Sequence, residues 1–230
     1  MFLTTPHLQN VDDSLSRFFH HWRKIGLLYG NAPLTRLAMY GVTSAAVTHR
    51  SVWVIDGANS FDAYFVARLA RRWNYASESI LSHIHLSRAF TCYQLTESIT
   101  RRLDIALPKP GRDSPSKPDF DSKSSHRNAT IFCIGLLDTF YDDAVPLTDA
   151  VRLLKAIIVS LAELAKGGHT VFITAREPRQ LTIPKRTKRP EDRRVLLNLL
   201  VTAATHTQRI DWIADEATMP VATQLQLIVA

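Results

Sequence analysis

The sequence predicts an α/β domain: a central, mostly parallel sheet flanked by helices, closed by a C-terminal β-hairpin. Three observations lead there. Short apolar runs with β-branched or aromatic content recur along the chain, and helical patterns separate them, the alternation that crossover-connected parallel strands require. One segment carries an unmistakable helical stripe, with Val151, Leu154, Ile158, Leu161 and Ala165 on one face. The length of 230 residues with 46% hydrophobic content suits one core and is short for two.

Taken in order, residues 12–24 suit an N-terminal helix, and Ile25–Tyr29 a first strand. Leu34–Val47 reads as a helix and Ser51–Asp56 as a second strand. Asp62 is placed to cap a helix running to about Trp73, where Phe65, Leu69 and Trp73 recur every four residues and Arg68, Arg71 and Arg72 take the other side. His83–Arg88 is a third strand and Tyr93–Leu103 a short helix. Residues 106–128 change character, with four prolines and five serines, and suit a surface loop or disordered insert. Thr130–Gly135 is a fourth strand. The long helix then starts with Thr148 as N-cap and stops at Gly167-Gly168, His169–Thr174 is a fifth strand, and Glu191–Ala204 is another helix. Arg209–Ala214 and Ala222–Val229 are apolar enough to form the final hairpin.

Composition excludes several classes. Eight glycines and eleven prolines are too few for a collagen-like or low-complexity chain, and no uncharged stretch reaches the roughly 20 apolar residues of a membrane span. The N-terminus lacks a basic region followed by an apolar one, so an intracellular protein of cytoplasm, nucleoid or nucleus is expected. Cys92 and Cys133 stand alone and read as reduced, buried thiols. Lys and Arg outnumber Asp and Glu by 28 to 21, a net charge of +7 that favours an anionic partner. Much of the surplus lies in residues 176–194, where Arg176, Arg179, Lys185, Arg186, Lys188, Arg189, Arg193 and Arg194 face only Glu177, Glu191 and Asp192.

The run Val52-Trp-Val-Ile-Asp-Gly-Ala-Asn-Ser-Phe61, then Ile84-His-Leu-Ser-Arg-Ala-Phe90 and Gln94, resembles the core of the RecA/RadA recombinases. Thr130–Gly135 falls where that family has its Walker B strand, and Val171-Phe-Ile-Thr-Ala175 where its "I-T-N" strand ends. The resemblance implies a RecA-type ATPase core, with DNA as partner and a recombinase or paralogue as a further one. It also implies that the basic stretch is a DNA-gripping loop, because the family's loop follows the same strand.

The chemistry of that family is missing. A P-loop wraps phosphates with backbone amides, a lysine and a Mg²⁺-holding hydroxyl. Counted from Gly30, its second glycine falls on Thr35, its lysine on Arg36 and its hydroxyl on Leu37, while Pro33 removes an amide. The family's catalytic glutamate falls on Ala58 and its Walker B aspartate on Gly135, leaving only Asp56. A degenerate nucleotide site of Gly30, Thr35, Arg36 and Asp56 is expected, with no cofactor and at most weak ATP or ADP binding. Two other readings exist. Asp56-Gly57-Ala58-Asn59 also resembles the opening of PIN/NYN-type nucleases, with Asp56 and Asp138 as metal ligands; alternatively the fold serves assembly alone. The nine histidines show no ligand spacing, and no serine or cysteine nucleophile motif is present.

Overall fold

A computed structural model describes residues 24–48, 51–107, 128–178 and 192–211. Six strands, β1 (Ile25–Gly30), β2 (Val52–Asp56), β3 (Ile84–Arg88), β4 (Thr130–Ile134), β5 (Thr170–Arg176) and β6 (His206–Arg209), form one sheet in the order β3-β2-β4-β5-β1-β6. Every pairing is parallel, so every connection crosses over a face of the sheet. Inner strands buried on both faces should be continuously apolar, and Thr130-Ile-Phe-Cys-Ile134 is buried at all five positions.

Period-two alternation divides the strand side chains between two cores. On one face Val52, Val54, Phe132, Ile134 and Phe172 meet α1 (Leu34–Val47), α2 (Ala63–Arg72) and α3 (Ser77–Ser82), with Phe132 and Phe172 stacked at 5.0 Å. On the other, Ile55, Ile131, Cys133 and Ile173 meet α4 (Cys92–Glu97), α5 (Leu103–Ala106), α6 (Leu147–Lys166) and α7 (Arg194–Ala203). The outermost described strands are more polar and more exposed than the inner ones, with His85, Ser87 and Arg88 on β3 and His206, Thr207 and Gln208 on β6.

The expected elements that fall on described residues are present, with informative differences. Asp62 caps α2 as anticipated, accepting from the Tyr64 and Phe65 amides. Thr148 is not the N-cap of α6: Pro146 stands there, because its fixed φ suits the position before a helix and its missing N–H costs nothing where amides have no partners. Gly167 and Gly168 do end that helix, Gly168 at φ +96°. The short helix expected over Tyr93–Leu103 runs from Cys92 through a π turn at Ser98–Arg102 to Ala106, so the insert begins later than its composition suggested, after the buried Leu107. Helix α7 begins at Arg194 rather than Glu191, because the Asp192 carboxylate accepts the Arg194 amide and marks its start. The last described strand is His206–Arg209, three residues earlier than expected, and its partner is β1 in parallel. The second hairpin strand, the core of the insert and the N-terminal helix lie outside the described residues, apart from Lys24, which forms a bend before β1. Cys92 and Cys133 are free and buried. Among the described residues no helix is long and apolar enough to cross a membrane.

One buried polar contact makes stability pH-dependent. His169 is 5% exposed, and its Nδ1 accepts the Ala129 amide at 3.1 Å. Burial holds its pKa below the ordinary value, and the accepted hydrogen bond needs the unprotonated ring. The unfolded chain therefore binds the proton more readily below about pH 6.5, and stability falls as pH drops from there toward the folded-state pKa. Urea denaturation between neutral and mildly acidic pH should show this loss in the wild type and less of it in His169→Asn, whose amide oxygen stands at the position of Nδ1 and can accept the same bond.

Candidate functional site

A cleft of about 640 Å³ opens at the carboxyl ends of β1, β2, β4 and β5, lined among others by Pro33, Thr35, Arg36, Ser60, Asp138 and Arg176. Its place follows from the topology. The turns after β1 and β2 lead to helices on one face and those after β4 and β5 to helices on the other, so the chain parts there and leaves a crevice.

On the β1 side, the backbone that would cradle a phosphate is occupied by the chain itself. Gly30 has φ +132°, and a Cβ there would collide with the Ile210 carbonyl. That carbonyl accepts the Ala32 amide at 3.2 Å, and the Asp211 carboxylate accepts the Asn31 amide at 3.2 Å. Pro33 has no amide to give, and the Leu34 and Arg36 amides turn back to the Ala32 and Pro33 carbonyls. Thr35 Oγ1 pairs with Ser60 Oγ at 3.2 Å, tying the first turn of α1 to the segment before α2. Arg36 is exposed at the cleft.

The floor between β2 and β4 is filled. Gly57 donates to the Ile134 carbonyl at 2.9 Å, and Gly135, at φ +60°, lies so close to Ala58 that a Cβ on it would strike the alanine Cβ. Thr174 holds this turn, its Oγ1 accepting the Gly135 amide at 2.9 Å and its carbonyl the Leu136 amide. The two positions at which the recombinase family has acids are thus packed against each other.

Asp56 is fully buried and satisfied. Its carboxylate accepts the Ser60 amide at 3.0 Å and the Phe61 amide at 2.8 Å, with Arg88 Nε at 3.6 Å. Arg88 also donates to the Phe61 carbonyl, and Gln94 Oε1 accepts the Phe90 amide while Thr91 caps α4. Asp138 lines the cleft but is held by Arg176 at 2.5 Å, and that carboxylate raises the guanidinium pKa. Tyr141 donates its hydroxyl to the Arg176 carbonyl, and burial pushes its phenol pKa up. As metal ligands Asp56 and Asp138 would have to give up these partners, and no three His, Cys, Asp or Glu side chains among the described residues gather as a metal site.

Of the eight basic residues, Arg179, Lys185, Arg186, Lys188 and Arg189 lie outside the described residues. Arg176 closes β5 at the cleft, and Arg194 is exposed. Arg193 is different: it is 9% exposed and donates to the Phe140 carbonyl at 2.6 Å and the Val145 carbonyl at 2.5 Å, so it staples the β4–α6 connection and is not free for a phosphate. Its sequence neighbours gave no sign of this, since both carbonyls lie about fifty positions away. Sequence reasoning also missed Ile210 and Asp211, which close the cradle; an acid after a polar strand carries no local signal of what it faces.

The chain matches no protein-family model, and no curated protein matches it significantly.

Two outcomes test this geometry. Restoring an acid with Gly135→Asp should lower stability by about 2 kcal/mol or more in urea denaturation, because the side chain meets both a left-handed φ and Ala58, and ATP turnover should stay at the blank. Arg193→Ala should destabilise by about 2–4 kcal/mol by leaving two carbonyls unpaired, whereas Arg194→Ala stays within about 0.5 kcal/mol.

Proposed function

We propose that this chain is a non-catalytic protein of RecA/RadA type that binds DNA, or assists a recombinase, in DNA repair or recombination. The observation that carries the non-catalytic part is the closure of the β1–α1 turn by Ile210 and Asp211. A triphosphate needs those amides, and an aspartate beside them repels it. The packing of Gly135 on Ala58 supports the same reading, since neither turn has room for a metal-holding acid.

The DNA-binding part rests on charge and position. Strand β5 ends at the cleft with Arg176 and leads directly into the basic stretch, at the edge where the connecting turns gather. Both carboxylates of the nuclease reading already have cationic partners, which favours the binding role over hydrolysis.

Phosphate contacts release condensed counterions, so log affinity should fall with log salt by about 0.7 to 0.9 per contact. With roughly four residues engaged the slope lies near about −3 to −4. Replacing Lys185, Arg186, Lys188 and Arg189 together with alanine should flatten it by about that amount and weaken binding alike on all sequences. Unchanged DNA binding in this variant would remove the loop from the site, and absence of DNA binding in the wild type would leave the assembly role.

A further inference from the structure

We infer that the outer face of α2 is a contact surface for single-stranded nucleic acid, separate from the basic stretch after β5. At about 100° per residue, Tyr64, Arg68, Arg71 and Arg72 fall within about 100° of the helix circumference, opposite the buried Val66, Leu69 and Ala70. Tyr64 is 83% exposed, and Tyr75, just beyond the helix, is 43% exposed. The face therefore sets the Tyr64 phenol beside guanidinium groups.

Ordinary helix energetics do not account for it. Arg71 and Arg72 sit in the last turn, where the helix dipole favours cations. Arg68 stands in the middle, and Tyr64 in the first turn gains nothing from burial. No acid lies within Ala63–Arg72 beside Arg68 and Arg71: Asp62 is committed to the Tyr64 and Phe65 amides, and Glu78 accepts from Ser77, whereas Arg72 is already engaged. Among the described residues neither Arg68 nor Arg71 has an ion-pair partner.

The helix is anchored to its neighbour. Phe65 packs edge-on against Tyr40 of α1 at 5.6 Å, and Tyr40 lies 6.4 Å from Trp73. An exposed ring on a fixed helix offers a base a stacking platform without further ordering, and guanidinium groups beside it match the phosphates. A membrane surface fits less well, because the apolar face of α2 is turned into the core and has nothing to insert.

The test measures fluorescence anisotropy of labelled oligo(dT) and oligo(U) with the full chain across a salt series, with circular dichroism as a check on folding. Tyr64→Ala should weaken binding by roughly 5- to 150-fold, the range for losing one stacked base, with the salt slope unchanged. Tyr64→Phe should restore wild-type affinity. Arg68→Ala with Arg71→Ala should flatten the slope by about 1.4, two single-strand phosphate contacts. Whichever oligonucleotide responds identifies DNA or RNA as the source. Three results overturn the inference: wild-type affinity and slope in all α2 variants, loss of binding only on replacing Lys185, Arg186, Lys188 and Arg189, or an Arg68/Arg71 effect on anionic vesicles but not on either oligonucleotide. Loss in the α2 variants with none in the loop variant supports α2 and removes the loop instead.

Discussion

An all-parallel sheet imposes the constraint on which the rest of this molecule depends. No strand can be joined to its neighbour by a tight turn, so each connection crosses a face and all strands deliver their chain at one edge. With the order β3-β2-β4-β5-β1-β6, the path runs one way over α1 to α3 and returns over α4 to α7. The cleft lies at the edge where those two paths separate. Both cores, the burial of β4 on its two faces and the location of the described cleft residues follow from that topology.

What the constraint leaves open is the content of the turns, and here local packing decides. Gly30, Gly57 and Gly135 bring backbone against backbone: Gly30 under Ile210, Gly57 beside the Gly135 carbonyl, Gly135 against Ala58. Such approaches serve two opposite ends. Glycines can bare amides for a ligand, or let the chain use those amides itself. In this molecule they do the second, since Asn31 and Ala32 donate to residues just after β6 and Gly135 donates to Thr174. Arg209 extends the closure, bridging Asp211 at 2.7 Å and Glu177 at 3.1 Å, so the end of β6 and the start of the basic stretch are electrostatically joined.

Most elements were legible in the sequence because they carry local signatures, such as the alternation of runs, the Asp62 cap and the Gly167-Gly168 stop, whereas the six-residue α3 was not anticipated. The α1 boundaries agree residue for residue, and strand boundaries mostly differ by one or two. The failures share a physical cause. Thr148 lost its capping role to a proline two residues earlier, β6 was misplaced because its partner β1 is some 180 positions away, and Arg193 was counted as a surface cation because its carbonyl partners are distant in sequence. In the site, the missing lysine, hydroxyl and acids could be read directly. What replaces them is long-range packing, which no motif encodes.

The residues that carry the resemblance and those that break it divide along a physical line. Asp56 accepts two amides and an arginine, Arg88 ties that aspartate to the Phe61 carbonyl, Thr174 supports the Gly135 turn, and Gln94 accepts the Phe90 amide. Each of these holds a turn in place, and removing any of the buried ones would leave polar backbone unpaired. Arg36, Leu37, Ala58 and Gly135 stand where the resemblance would put groups that act on a nucleotide, and of these Gly135 shapes its own turn through a left-handed φ and the amide it donates to Thr174. Loss of the supporting residues would cost this fold the geometry of its open edge. A chain under selection for an arrangement of surfaces around that edge, and not for phosphate transfer, would keep one set and shed the other, which is the division the proposed binding role requires.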